Sequence, residues 1–156
     1  MTFTLSTAFA QKFGHINSSN LLELLPETKV ANSELEGYKI QLEKALEAKV
    51  KAFEAEVQVY ITERPTLAPK VAQEKEAALA QKEQDLYKER QEGEQKVMQK
   101  REELLKPIFE KADAAIKAIG KEGGFQMIFD SSTFNVLLFA EDSADIMPLV
   151  KAKLGL

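Results

Sequence analysis

Cysteine is missing from all 156 residues, so disulfides, a thiol nucleophile and thiolate metal ligation are all excluded. Histidine is nearly missing too. His15 stands alone, with no companion to complete a metal site or a catalytic pair, and reads as a strand residue. There is no Gly-rich phosphate loop, no metal-ligand cluster and no nucleophile beside a paired base, so the expectation is a non-enzyme without cofactor. Asp130, after an apolar strand, reads as a turn former into Ser131-Ser132. A cationic excess is lacking: 21 Lys and Arg stand against 25 Asp and Glu, for a net charge of −4. Nucleic-acid binding needs a basic face to neutralise phosphates, so that class is excluded. Beyond the first few residues no run is long and apolar enough to span a bilayer.

What the chain does have is charge of both signs, concentrated in its middle. Residues 26–106 read as two long charged helices joined by a turn at Glu63–Pro69. The first arm carries Leu35, Tyr38, Leu42, Leu46, Val50, Phe53, Val57 and Tyr60, a three-four alternation that lines one helix face. The returning arm is poorer, with Val71, Ala78, Leu79, Leu86, Val97 and Leu104 between Gln, Glu, Lys and Arg. Each arm should be about 50 to 60 Å long at about 1.5 Å per residue. Two such arms bury only a thin seam, so the hairpin is expected to be rooted in a better packed body. Gly93 within the second arm and Pro107 at its root are the expected hinges.

The ends supply that body. Residues 1–10 (MTFTLSTAFA) are uncharged and finish in Ala8-Phe9-Ala10, the small-x-small pattern of signal cleavage. They read as the remnant of a signal peptide, with cleavage expected after Ala10, or as a disordered tail. The body is expected to comprise residues 11–25 and 107–156. It has a strand at 12–17, a short helix from Ser18, strands at 125–130 and 133–140 forming a β-hairpin, and a C-terminal helix at 144–154. Pro26 suits the first position of the first arm. Pro107 should kink or restart the helical pattern around it. The fold class is therefore α+β, mostly α: a long antiparallel helical hairpin on a small β-containing body. Three strands leave open edges over a thin core, which makes an obligate homo-oligomer the expectation. Phe13, Ile16, Phe125, Met127, Phe129, Phe134, Val136 and Leu138 are the candidate oligomerisation residues of the body.

The order of these parts resembles the Skp/OmpH family of periplasmic chaperones. The residues carrying the likeness are Phe13-Gly14-His15-Ile16-Asn17, Leu24-Leu25-Pro26-Glu27-Thr28-Lys29, Phe125-Gln126-Met127-Ile128-Phe129-Asp130 and Asp145-Ile146-Met147-Pro148-Leu149-Val150-Lys151. The likeness spans Gln11 to Leu156 and lies in order and spacing. It implies a homotrimer with the body as trimerisation unit and the helical hairpins as tentacles around a cavity. It further implies a periplasmic, ATP-independent holdase that sequesters unfolded outer-membrane proteins. This chain is mildly acidic where well-studied relatives are basic, which argues against carrying over contacts with lipid or lipopolysaccharide.

On the holdase reading, client contact falls to apolar residues near the turn: Tyr60, Ile61 and Leu67, with Phe53 and Val57. Phe53 and Val57 read first as helix–helix seam, which leaves Tyr60 and Leu67, close to the turn, as the better candidates for client contact. The rival reading is a structural or adaptor coiled-coil protein of the cell envelope, whose signature would be a sustained apolar a/d seam. The returning arm lacks one. A prefoldin-like chaperone would place β-hairpins between the long helices, where only Glu63–Pro69 stands.

Overall fold

A computed structural model describes residues 11–156. The expected signal remnant at 1–10, with its cleavage after Ala10, lies outside the described residues. The elements run β1 (Phe13–Ile16), α1 (Ser18–Leu24), α2 (Pro26–Glu63), a 3-10 turn at Arg64–Thr66, α3 (Pro69–Glu122), β2 (Met127–Asp130), a 3-10 turn at Asp142–Ala144 and α4 (Met147–Leu154). The fold is α+β and mostly α. No helix among the described residues is long and apolar enough to cross a membrane. The chain divides into two compact units: Ala31–Leu104, and the described part of Met1–Val30 together with Leu105–Leu156.

In the unit formed by the chain ends, β1 and β2 pair in parallel, Phe13 with Met127 through Ile16 with Asp130. A parallel pair needs a long connection, and α1 to α3 supply it. The register sends Gly14 and Ile16 inward, where Ile16 joins Leu21, Leu25, Ile108, Ile119, Ile146 and Val150 in the core. Gly14 is there because a Cβ would meet the Phe125 ring at 2.9 Å and Ile146 at 3.0 Å. Phe125 fills the space between Gly14 and Gly123, with the Lys12 ammonium 4.1 Å from its ring centroid. The same ammonium donates to the Gly123 carbonyl just beyond α3. His15 also bridges to Asp145, and the amide of Ile146 donates to the His15 carbonyl at 3.0 Å.

The β-hairpin expected from strands 125–130 and 133–140 does not form. Residues 133–140 are irregular, with Asn135 at φ 66°. A two-residue hairpin turn wants positive φ at its centre, as Asn-Gly provides, and Ser131-Ser132 offers nothing of the kind. The local polar groups go elsewhere. Asp130 accepts from the Ser132 amide at 2.9 Å and from the Ser18 amide and hydroxyl at 3.1 and 2.6 Å. The Ser131 amide extends the β1 ladder by donating to the Ile16 carbonyl.

Two further boundaries differ. The C-terminal helix starts at Met147 rather than 144, with a 3-10 turn before it, the Asp145 carboxylate accepting from the Met147 amide and Gly155 closing it at φ 75°. Pro107 does not restart a helix, since α3 runs unbroken from Pro69 to Glu122. Pro107 is exposed, so the carbonyl that its missing N–H leaves without a helical partner can turn to water.

Candidate functional site

In the unit Ala31–Leu104 the two helices run antiparallel, and long charged side chains fix their register. Lys49, Glu56 and Glu63 step by seven residues along α2. They meet Glu89, Lys82 and Lys75, which step back by seven along α3. Lys100 reaches Glu34 at 2.9 Å nearer the other end, and the hydrogen bond it donates to Glu34 raises the Lys100 ammonium above its ordinary value. Half-buried Leu35, Tyr38, Leu42, Leu46, Val50, Phe53, Val57 and Tyr60 line the α2 side of the seam as their spacing predicts. On α3 the seam is Ala72, Leu79, Leu86, Val97 and Leu104. Val71, expected there, is 40% exposed, and buried Ala72 takes its place.

At the turn, Glu76 accepts from the Tyr60 hydroxyl and from the Arg64 Nε at 2.9 Å. These two donors, Tyr60 first, hold the Glu76 carboxyl below its usual range. Desolvation, followed by the bond to Glu76, pushes the Tyr60 phenol up. Of the residues proposed from sequence for ligand contact, Phe53 and Val57 therefore belong to the seam and Tyr60 is half-buried and tied to Glu76. Ile61 faces outward and Leu67 is half-buried in the turn. Exposed Val59, Tyr87 and Met98 were missed because they fall off the three-four stripe that guided the reading. Gly93 is half-buried within α3, and a Cβ there would meet nothing within 4 Å.

The other unit carries a second apolar surface. Phe13 and Phe129 lie on the outward face of the strand pair with ring centroids 6.4 Å apart, and Met127 is exposed beside them. Phe134, Leu138 and Phe139 are 90%, 85% and 82% exposed, and Val136 is exposed as well. Ile16 differs from its companions in the expected oligomerisation set. At 2% exposure it is committed to this chain's own core, because the register turns it inward. Phe125, half-buried against Gly14 and Gly123, also works mainly within the chain. Phe139 is an addition that sequence reasoning passed over by treating 133–140 as a strand with an inner and an outer face.

The family described as outer membrane protein (OmpH-like) matches residues 12–154. No curated protein matches the sequence. Among solved structures, the chain is similar to a protein from Caulobacter crescentus CB15 described as an OmpH-like outer membrane chaperone, at a TM-score of 0.79 and 16% identity. That alignment covers 99% of this chain and 89% of the other, which establishes a shared fold.

Proposed function

The chain belongs to the OmpH-like outer membrane protein family, and from that premise we propose that it is an ATP-independent holdase chaperone of the periplasm. Its clients are unfolded outer-membrane proteins, its working form is a homotrimer, and it is exported by a cleaved signal peptide. The observation that carries the reading is the family match across residues 12–154. Assembly is supported by the uncharged segment 133–140, which leaves Phe134, Val136, Leu138 and Phe139 exposed among the described residues. Isolated soluble chains rarely leave such a contiguous apolar surface open, and a second copy is the simplest cover. Phe13, Met127, Phe129, Phe134, Val136, Leu138 and Phe139 would form that joint, with Ile16 and Phe125 holding the sheet beneath them.

Holding needs no catalytic group. An unfolded β-barrel protein exposes apolar strands that aggregate when two copies meet, and enclosure of one copy prevents the meeting. Many weak contacts suit this task better than one tight pocket, and the charged helices of Ala31–Leu104 carry scattered apolar residues in a polar field. Ile61 and Leu67 are the leading contacts near the turn, with Val59 beside them. Gly93 and Pro107 are the positions where α3 can bend to suit clients of different size. A net charge of −4 argues against attraction to anionic lipid head groups.

The test is dilution of a denatured outer-membrane β-barrel protein with and without this chain, followed by light scattering. Wild type is expected to suppress scattering without nucleotide. Ile61→Ser combined with Leu67→Ser should weaken suppression while leaving the oligomer intact, and unchanged suppression would reject those residues as client contacts.

A further inference from the structure

The outward face of the strand pair carries Phe13, Met127 and Phe129, and among them stands one polar side chain, His15. Alternation along β1 puts it there, since Gly14 and Ile16 turn inward. In the ladder His15 lies between Phe129 on β2 and Asp145 on the other side. Ile146 is buried, so the same alternation sets Asp145 on the outward side with His15. The imidazole is half-buried. Its Nε2 is closed off from solvent and has no hydrogen-bond partner among the described residues. A buried polar atom left in that state is rare in a native fold and asks for an explanation.

The charged groups on the neighbouring elements are engaged elsewhere or stand in water. The Asp145 carboxylate accepts from the Met147 amide at 2.8 Å, and Asp130 of β2 accepts from Ser18 and Ser132. Lys12 of β1 donates to the Gly123 carbonyl, and Lys153 of α4 pairs with Glu122 at 2.6 Å. Glu141 and Asp142, at the adjoining 3-10 turn, are exposed, and Lys151 of α4 adds a further cation. A proton on Nε2 therefore brings an N–H and a positive charge to a spot where no acceptor is set to receive them. The neutral ring suits its aromatic neighbours. His15 is also the chain's only histidine, and cysteine is absent. Carboxylates ordinarily titrate near about 4 and lysines above about 10, so one imidazole per chain reads the interval between pH 7.5 and pH 5.5.

We infer that His15 is the proton sensor of this body: protonation of its imidazole loosens the strand pair, so the body weakens as pH falls from 7.5 to 5.5. The consequence for assembly rests on the joint proposed above, because Phe13 and Phe129 beside His15 belong to that joint. The sign of the linkage follows from the geometry. On opening, the chain takes up a proton that the closed body excludes, so stability is full at the higher pH and lost toward the lower. With an ordinary histidine value of about 6.5, excluding one proton per chain favours opening by up to about tenfold across that interval.

The experiment uses the full chain, melted under circular dichroism and sedimented at pH 7.5 and at pH 5.5. Wild type should melt up to about 5 °C lower at pH 5.5 and shift toward smaller species. His15→Gln keeps a polar side chain that does not titrate, and its midpoint and sedimentation should be the same at both values. His15→Phe, which matches the aromatic face, should be equally flat and serves if the glutamine variant does not fold. Nitrogen NMR of histidine-labelled wild type reads this one ring without assignment, and the folded protein at pH 5.5 should still show a neutral imidazole. A midpoint that falls equally in wild type and in the folded variants overturns the inference. So does a wild-type midpoint that stays level in acid, or one that rises, which would mean that the charged ring pairs with Asp145. A charged imidazole in the folded protein at pH 5.5 overturns it as well. A single chain at both pH values, with the wild-type midpoint still falling and the variants flat, would defeat the assembly reading and leave the sensor standing.

Discussion

At the scale of single residues, the body is held by a few close fits. Gly14 and Gly123 receive the Phe125 ring, and Asp130 ties β2 to the start of α1 through Ser18. Gly14→Ala must push Phe125 or Ile146 aside, which should cost about 1–3 kcal/mol in denaturant unfolding. Gly14→Ala should cost less when made in a Phe125→Ala background, because the obstructing ring is gone. Asp130 gives a pH signature. Burial alone would raise its carboxyl, but the hydrogen bonds from Ser18 and Ser132 outweigh that and hold it below its ordinary value of 3.8. A depressed carboxyl contributes stability above the unfolded value and loses it as pH falls through the folded one. Asp130→Asn should therefore be less stable than wild type at neutral pH, with the gap closing as pH falls below about 3.8. A gap that stays constant from pH 6 to pH 2 in thermal melts would show that this carboxylate is not coupled to folding. The turn from Asp130 into Ser132 was legible in the sequence, whereas Gly14 against Phe125 and Asp130 on Ser18 were not, because each joins residues more than a hundred positions apart.

At the scale of elements, the two long helices and their antiparallel pairing were legible, and the register between them was not. The three-four stripe from Leu35 to Tyr60 marks α2 and its inward face without help. On α3 the same method chose Val71 over Ala72 and saw no seam through Lys75, Lys82, Glu89 and Lys100. Those charged residues occupy seam positions because partners on α2 meet them, and a one-helix pattern cannot show a partner on another helix. Each exposed pair contributes only about 0.2–1 kcal/mol, so the ladder acts more on register than on stability. Lys49→Glu should lower the thermal midpoint slightly, and Lys49→Glu with Glu89→Lys should restore it. Deleting seven residues from each helix at one ladder step should preserve helix content and melting cooperativity, whereas deleting seven from α3 alone should not. Segment 133–140 misled for a related reason. Its composition is that of a strand, but strand formation needs an edge to pair with and a turn to reach it. Ser131-Ser132 supplies no such turn, and the second edge of β2 stays unpaired among the described residues.

At the scale of the whole molecule, copies of this chain are expected to cover the apolar surface of the body and together hold one unfolded client. Phe134→Ser, Leu138→Ser and Phe139→Ser combined should yield smaller species in sedimentation, since these side chains are exposed among the described residues. The same substitutions should abolish suppression of client aggregation even though they lie outside Ala31–Leu104. The most direct test is native mass spectrometry of the full-length mature protein mixed with a denatured outer-membrane β-barrel protein, without nucleotide. The expected result is a complex of three copies with one client, and three copies alone when client is omitted. A folded single chain at micromolar concentration, with the client left free to aggregate, would contradict the account.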